Sequence, residues 1–331
     1  MCVSVLKTLS SYAIKVGRRP IVVNLDPRRA LESVTPVPGT IGAAPIAAPD
    51  ASSSFMHPTL LDSFTTSNTS TSYSLNYFFS APTPANNPAF FTLLTNKLGL
   101  RLGERHAQLS SPAVLAEFSS GVLCLGAPSN KVEVHEHTVA ALSINVVLVM
   151  GSDRLYAQMN KKYKATGVTV VKLPVSGGVV KKDDADRSGL QAKLVRSYFR
   201  PLPASPPLTT VTLNISTCNF YRLSSVAVST AMLPVGQKQV SSCVHLTKID
   251  APPENSIVAV CHPSNVNKFV GGDESALFAG GVAGFLAVER VDEEAETVVV
   301  VSPVRGELPS KTFLCCEESA FSKVMVRDVV Q

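Results

Sequence analysis

The sequence predicts two parts: an α/β domain, whose mostly parallel sheet carries helices on both faces, and a small all-β domain after it. Three observations support this prediction. Short apolar runs alternate with helical patterns over residues 1–200, which is typical of a parallel sheet covered on both faces. Residues 201–208 fall in the proline-rich run RPLPASPPL, which indicates a stiff linker. Short strand-like runs separated by Gly, Pro or acidic turns then fill residues 209–331.

The elements of the first part follow from apolar periodicity and from residues that begin or end helices. Gly17 ends the opening helix, and a polar Ser/Thr/Pro-rich region covers about residues 44–88, with an aromatic end at 77–79 that suits a buried strand. Ser152 is the predicted N-cap of a later helix. The other strands are predicted at 21–25, 121–126, 144–150 (fully buried) and 168–173, and the other helices at 88–102, 132–143 and 181–200.

Composition restricts the class of protein. The chain has 331 residues, 45% of them hydrophobic and 17% charged, with a net charge of +5, which permits nucleic-acid binding without requiring it. Its seven cysteines include no CxxC pair, and this favours free thiols in a reducing compartment. No apolar run reaches the roughly 18 residues of a membrane span. We therefore expect a soluble intracellular protein with no membrane partner.

The run IVVNLDPRR at 21–29 places polar side chains directly after an apolar strand, where phosphate-transfer proteins hold magnesium or activate a hydroxyl. Only one carboxylate, Asp26, stands there, and Asn24 occupies the position of a second acid; a turn cap explains Asp26 slightly better. The phosphate-binding pattern GxxxxGK[ST] is absent from the sequence, and SGG at 176–178 indicates an ordinary loop. The residues alone therefore predict a nucleotide-type fold without nucleotide chemistry.

Two further groups of side chains have a functional and an ordinary interpretation. His135 and His137 flank Glu136, but residues two apart on a helix point to different faces, so we predict no metal site. The charged segment 181–200 suits phosphate contacts or, more commonly, a surface helix with internal ion pairs.

Several motifs in the same order resemble the polynucleotide 5′-hydroxyl kinase family, and within it the Clp-type subunit of the pre-mRNA cleavage and polyadenylation machinery. These motifs are YAIKVGRRPIVVNLDPRRALESVTPVPGTIGA, TPANN, VVLVMGSDRLYAQM, VVKLPVSGGVVKK, LPVG, VAGF and VVVVSPVRGELPSKTFL. The resemblance implies a P-loop-NTPase-like sheet followed by the family's C-terminal β domain. It also implies that the family's N-terminal domain, one strand and the phosphate loop precede Met1, so that the sheet lacks that strand.

The departures from the family's motifs fall where catalysis would take place. By the resemblance, the family's phosphate-binding lysine falls on Cys2, and its glutamine falls on Arg29. The acid that activates the RNA hydroxyl falls on Asn24, with Asp26 as a remnant. The substrate clasp becomes CLGAP at 124–128, in a chain without tryptophan, and the lid keeps Arg187 while Gln191 replaces its second arginine. This implies no intact catalytic, nucleotide or metal site, and no ATP or magnesium cofactor unless the family activity is retained.

The resemblance leaves three hypotheses. The first is a catalytically dead nuclear scaffold in mRNA 3′-end cleavage and polyadenylation, which binds cleavage-factor subunits through the helices of the central sheet and the β domain, with RNA as a further partner. The second is an ATP-dependent RNA 5′-hydroxyl kinase whose N-terminal domain and phosphate loop are missing from this sequence, and the third is a nucleolar ribosomal-RNA-processing relative. The basic residues expected to face RNA or an acidic partner are Arg18, Arg19, Lys181, Lys182, Arg187 and Arg196.

Overall fold

The structure is a computed structural model that describes residues 2–18, 20–31, 34–46, 74–108, 121–179, 183–199, 209–224, 244–303 and 306–316. For residues 105–108, Asp184 and Arg187 the description is limited to the backbone. The proline-rich run at 201–208 lies outside the described residues.

Helices and strands alternate in the first part, as predicted. The helices are α1 (Cys2–Lys15), α2 (Pro88–Gln108), α3 (Val132–Ala141), α4 (Asp153–Tyr163) and α5 (Asp184–Phe199). The strands are β1 (Ile21–Asn24), β2 (Thr40–Pro45), β3 (Leu75–Phe78), β4 (Val122–Leu125), β5 (Val146–Met150) and β6 (Thr169–Leu173).

Short polar and glycine signals set the helix boundaries. Gly17 follows α1 with φ +78°, a left-handed conformation that glycine adopts without steric cost. The Ser152 hydroxyl accepts a hydrogen bond from the amide of Leu155, and this confirms the predicted N-cap of α4. The side-chain oxygen of Asn87 accepts from the amide of Phe90 at the start of α2. That helix runs six residues past its predicted end at Leu102.

The sheet of the first part is divided in two. One sheet has the order β3-β2-β1-β4, in which β1 and β4 are parallel while β2 runs antiparallel to both β1 and β3. The other sheet consists of the parallel pair β5 and β6. The sheet is thus mixed rather than mostly parallel, because the chain returns directly through β2 and β3 before the next crossover. Neither sheet pairs β4 with β5.

The prediction that residues 144–150 form a fully buried strand is wrong. Val146 of β5 is 50% exposed and Leu148 is 37% exposed, as is Val171, which lies beside Leu148 on β6. Only Val149 of β5 is buried. Helix α4 contacts β5 and β6, and its Met159 is fully buried, whereas the face that carries Val146 and Leu148 stays open. A continuous apolar run therefore does not establish that both faces are covered.

The C-terminal domain is built on one seven-stranded sheet of order β7-β12-β11-β10-β13-β8-β9. Its neighbours are antiparallel except for β13 and β8. The strands are β7 (Thr209–Asn214), β8 (Asn219–Ser224), β9 (His245–Ile249), β10 (Ile257–Cys261), β11 (Val282–Asp292), β12 (Thr297–Ser302) and β13 (Thr312–Cys315). Two short helices, α6 (Pro263–Val270) and α7 (Glu274–Phe278), correct the prediction of an all-β domain. They are too short to show a helical stripe in the sequence.

One hydrophobic core joins the two parts. Phe78 of β3 packs against Phe285 of β11, with ring centroids 6.2 Å apart. The hydroxyl of Tyr198 in α5 accepts a hydrogen bond from the amide of Phe285 at 3.1 Å. Phe90 of α2 packs edge-on against Phe278 of α7. The β-rich domain is therefore packed directly on the α/β part.

Helices α2 and α3 cross in close contact at Gly99. A Cβ atom at this position would clash with the backbone carbonyl of Ala141, at the end of α3. Glycine is therefore required there by the approach of the two backbones. Among the described residues, no helix is long and apolar enough to cross a membrane.

Candidate functional site

Asn24 is the last residue of β1, and its side chain is fully buried. Its amide nitrogen donates to the hydroxyl of Thr35 at 2.6 Å and to the backbone carbonyl of Arg29 at 2.9 Å. Its side-chain oxygen accepts from the amide of Asp26 at 3.0 Å. A carboxylate could not donate the first two of these bonds, so the turn is built around an amide.

Asp26 is also buried, and both of its carboxylate oxygens are engaged. One oxygen accepts from the backbone amide of Arg28 at 3.2 Å and lies 3.5 Å from the Nε atom of the same residue. The other oxygen lies 3.1 Å from Nε of Arg29. Both arginine side chains are almost half exposed. The single acid at the strand end therefore contacts its own chain neighbours, an arrangement typical of a turn residue.

Thr35 connects the two ends of the turn. Its hydroxyl accepts from the side chain of Asn24 and from the amide of Leu31. The backbones of Leu31 and Thr35 also form an isolated antiparallel bridge. Because Thr35 is fully buried, these bonds are shielded from water and hold the turn in one conformation.

Gln191 of α5 is attached to the same turn. Its side-chain oxygen accepts from the backbone amide of Ala30 at 2.7 Å. The resemblance places Gln191 where the family's lid carries a second arginine. Gln191 is uncharged, and its hydrogen bond holds helix α5 against the turn. We call the set Asn24, Asp26, Arg29, Thr35 and Gln191 the strand-end network.

Cys2 lies outside the strand-end network. It is exposed, at the first residue of α1, and its thiol is free. A neutral thiol cannot supply the positive charge that a lysine gives to a phosphate.

The other predicted site residues are only partly described. Arg18 is exposed just after α1, and Arg196 is exposed in the last turn of α5. Arg19, Lys181 and Lys182 lie outside the described residues, and Arg187 is described by its backbone alone. Their contacts with RNA or a partner stay a prediction.

The His135–Glu136–His137 run does not form a metal site. Glu136 pairs with Lys162 of α4, and the Nε2 atom of His135 lies 2.8 Å from the backbone carbonyl of Ser129. Among the described residues, no three His, Cys, Asp or Glu side chains are grouped to hold a metal ion. The glycines at 177 and 178 lie in an exposed turn, as expected for an ordinary loop.

Sequence reasoning missed Thr35, and it missed the contact by which Gln191 completes the strand-end network. Thr35 is 11 positions from Asn24, and Gln191 is 161 positions from Ala30. The only local signal was the amide of Asn24 itself, since a buried amide requires both donors and acceptors nearby.

Two family models match the chain. One, described as "mRNA cleavage and polyadenylation factor CLP1 P-loop", matches residues 3–201, and the other, "Pre-mRNA cleavage complex II protein Clp1", matches residues 206–319. The chain belongs to the Clp1 family. The predicted resemblance to the Clp-type branch is thereby confirmed.

Three relatives of this family are each less than 30% identical to the chain. The mRNA cleavage and polyadenylation factor clp1 of Botryotinia fuckeliana is 26% identical and covers 94% of this chain and 67% of its own length. The CLP1 homologue of Nematostella vectensis is 26% identical, and the match covers 95% of this chain and 68% of that protein. The CLP1 homologue of Anopheles gambiae is 28% identical, and the match covers 92% of this chain and 66% of that protein. The chain spans about two thirds of the length of these relatives.

Solved structures confirm the fold. The structure of a Clp1p–Pcf11p complex matches 96% of this chain and 71% of its own chain, with a TM-score of 0.70 and 20% identity. A second structure shows an extended interface between Pcf11p and Clp1p and the basis for ATP loss in a point mutant. It matches 94% of this chain and 70% of its own chain, with a TM-score of 0.69 and 21% identity. The prediction of a P-loop-like α/β fold with a β-rich C-terminal domain is therefore confirmed.

Proposed function

We propose that this chain is a non-catalytic scaffold subunit in nuclear mRNA 3′-end cleavage and polyadenylation. It binds a cleavage-factor subunit, with RNA as a further partner. The observation that supports this most is the strand-end network, in which the two polar residues at the end of β1 are fully used in holding a turn.

Phosphoryl transfer depends on charge placed around the phosphates and on a residue that orients or activates the nucleophile. Asn24 carries no charge, and its carboxamide is not basic enough to take a proton from a hydroxyl. Asp26 is compensated by Arg28 and Arg29. Loss of a single charge-stabilising contact typically lowers a rate by about 10²–10³. Since several such contacts are absent together, we expect no turnover and no ATP or magnesium cofactor.

The partner follows from the relatives. Clp1 proteins are named as mRNA cleavage and polyadenylation factors, and Clp1p has been solved in complex with Pcf11p. The matches cover 96% and 94% of this chain, which supports a complex that involves both of its parts. The exposed guanidinium groups of Arg18 and Arg196 suit RNA or an acidic segment of the partner.

Titration of the purified chain with ATP and magnesium, followed by thermal unfolding, tests the catalytic part. A ligand at 100 times its dissociation constant would add about 2.7 kcal/mol of stability, so even weak binding is measurable. We expect no shift, and no transfer of phosphate to a 5′-hydroxyl RNA. A shift together with phosphate transfer would instead support the ATP-dependent RNA kinase.

Calorimetric titration with the Pcf11 segment from the species of this chain tests the scaffold part. We expect binding to the wild type, and weaker binding or weaker RNA retention when Arg18 and Arg196 are both changed to Glu. The matched control is Arg154→Glu, an exposed arginine on α4. Absence of any binding by the wild type would contradict the scaffold function.

A further inference from the structure

Arg222 lies on β8, on the face of the seven-stranded sheet that packs within the C-terminal domain. Phe220 of β8 belongs to the apolar core of that face, whereas Leu223 belongs to the core shared with the α/β part. Because successive side chains of a strand point to opposite faces, Arg222 lies on the same face as Phe220. Its Nε atom is buried and has no hydrogen-bond partner. A buried charged donor without a partner is costly, so this position favours the binding of an anion.

The neighbours of Arg222 on β13 do not supply that anion. Cys315 lies directly opposite Arg222 in the parallel register of the two strands. Burial raises the pKa of the Cys315 and Cys316 thiols, and the charge of Arg222 acts against this shift in both cases. Because the net shifts are upward, both thiols stay protonated and neutral at pH 7. Among the described residues, no Asp or Glu carboxylate forms an ion pair with Arg222.

Two exposed polar side chains of β9 lie beside Arg222. The antiparallel register places Thr247 opposite Arg222, and His245 opposite Ser224. Residues opposite one another in such a pair share a face of the sheet, with Cβ atoms about 5 Å apart. The Ser224 hydroxyl donates to the carbonyl of His245 at 3.3 Å and so holds this end of the two strands together. Thr247 and His245 are both exposed. We call Arg222, His245 and Thr247 the donor cluster.

The donor cluster matches the oxygens of a phosphate monoester. The guanidinium of Arg222 presents a planar fork of N–H donors, the hydroxyl of Thr247 adds an O–H donor, and the ring of His245 adds an N–H donor. A phosphate monoester presents three free oxygens, one for each of these groups, whereas a carboxylate presents two. A phosphate monoester therefore uses the whole donor cluster, and a carboxylate does not.

The charges of the C-terminal domain favour a ligand with one phosphate over a nucleic-acid strand. β8, β9 and β13 carry no acid, but the described residues 209–224, 244–303 and 306–316 together contain ten acidic and five basic residues. A nucleic-acid strand carries a negative charge on every nucleotide, so these acids repel it. A peptide with one phosphorylated residue brings about two negative charges to the donor cluster, and its lysine or arginine residues can lie against the acids.

We propose that the donor cluster binds the phosphoserine or phosphothreonine side chain of a protein ligand. The guanidinium of Arg222 holds the phosphate, and Thr247 and His245 bind its remaining oxygens. Recognition of a phosphorylated residue by an arginine is an established mode of peptide binding, because the guanidinium is always charged and can donate two parallel hydrogen bonds. The proposal concerns the C-terminal domain alone and does not depend on the function proposed above.

Fluorescence anisotropy of labelled ligands added to the purified chain tests the proposal. The probe is a blocked hexapeptide of alanine with one central phosphoserine and a lysine at each end. Two comparison peptides carry serine or glutamate in place of the phosphoserine, and a third ligand is a hexanucleotide of uridine with a 5′-phosphate. We expect the phosphopeptide to bind about tenfold or more tightly than each of the other three ligands, since hydrogen bonds to a charged phosphate are the strong ones.

Variants of the donor cluster should weaken this binding. Arg222→Gln should lower the affinity for the phosphopeptide by about tenfold or more, because it removes both the charge and the fork of donors. Thr247→Val should lower it by about threefold, since it removes one hydroxyl at an exposed position of an edge strand. The matched control is Arg290→Gln, at an exposed arginine of β11 in the same sheet, which should bind like wild type. Circular dichroism establishes that the variants are folded, and Thr247→Val decides the test if Arg222→Gln does not fold.

Four results would overturn the proposal. The first is no binding of the phosphopeptide by the wild type. The second is equal binding of the glutamate peptide, which would show that the donor cluster accepts any anion. Tighter binding of the 5′-phosphorylated RNA, lost in Arg222→Gln, would show that the ligand is a nucleic acid. An equal loss of affinity in Arg290→Gln would show that binding depends on the overall charge of the sheet.

Discussion

At the residue scale, Asn24 explains how the turn at the end of β1 is held together. Its amide is the only group in the turn that both donates to Thr35 and Arg29 and accepts from Asp26. An acid at this position would present oxygen to the carbonyl of Arg29 and a second charge beside Asp26. The amide of Asn24 and the arginines therefore stabilise the same turn: Asn24 binds the backbone of Arg29 and of Asp26, and the arginine side chains compensate the charge of Asp26.

Asn24→Asp is expected to destabilise the chain and to leave it inactive as a kinase. The change buries an uncompensated carboxylate and removes two donated bonds, with an expected loss of about 3 kcal/mol in the free energy of unfolding. Urea unfolding measures this loss, and the exposed Asn130→Asp is the control, with a change below about 0.5 kcal/mol. A variant as stable as wild type would show that the bonds of Asn24 contribute nothing.

His262 gives the chain a specific sensitivity to acid. Partial loss of hydration lowers the pKa of this residue, whose ring nitrogen accepts a hydrogen bond from the amide of Ser264 at the start of α6. The unfolded chain therefore binds more protons than the folded chain once the pH falls below about 6.5, the ordinary histidine value. The contribution of His262 to the free energy of unfolding is therefore fully present above this pH and is lost as the pH falls towards the pKa of the folded state.

His262→Asn should lose less stability than wild type between pH 7.5 and 5, because asparagine keeps the N-cap acceptor and does not titrate. Urea unfolding at several pH values gives the comparison, and His137→Asn, at an exposed position on α3, controls for the loss of one imidazole. Parallel pH profiles for wild type and His262→Asn would contradict this assignment.

At the scale of secondary-structure elements, packing between distant segments decides what the turn and the edge strands do. Helix α5 reaches the turn after β1 through the bond between Gln191 and Ala30. Gln191, which the resemblance places in the family's lid segment, thus holds helix α5 against the turn. Strand β5 shows the opposite case: among the described strands it pairs only with β6, and its apolar residues Val146 and Leu148 are exposed.

Gln191→Ala should loosen α5 from the turn. The amide of buried Ala30 would lose its acceptor, which costs about 1–3 kcal/mol for an unsatisfied buried group. Hydrogen exchange at Ala30 should accelerate together with the loss of stability, while Gln158→Ala, at an exposed position on α4, should change neither. Unchanged exchange at Ala30 would show that the bond is not formed in solution.

The sequence predicted most helices and strands because their local signals are strong. Ser152, Gly17 and the apolar runs act within a few residues, and the structure confirms the elements that they indicate. Prediction from the sequence failed where the conformation of a segment depends on residues that are distant in the chain. For β8, the run NFYRLS mixes polar and apolar residues without a regular pattern, and its pairing with β13 decides its conformation. The contact of Gln191 could not be derived, since nothing local specifies a partner 161 residues away.

At the scale of the whole molecule, the α/β part and the β-rich domain share a core. Phe78, Tyr198 and Phe285 meet where β3, α5 and β11 approach one another. A buried hydrogen bond accompanies this aromatic contact. The two parts are therefore expected to unfold together.

Tyr198→Phe should lower the stability of both parts by the same amount. The change leaves the buried amide of Phe285 without its acceptor, at an expected cost of about 1–3 kcal/mol. Urea unfolding followed separately by helical circular dichroism and by hydrogen exchange in β11 should give coincident transitions that shift together. The control is Tyr12→Phe, at a 64% exposed position on α1. Separate transitions would show that the two parts are independent.

The shared aromatic contact also has a mechanical consequence. A protein segment seated on the helices of the α/β part and another ligand seated on the β-rich sheet would be held at a constant distance and in a constant relative orientation. If the function proposed above holds, the molecule acts as a spacer that sets where one ligand lies relative to the other.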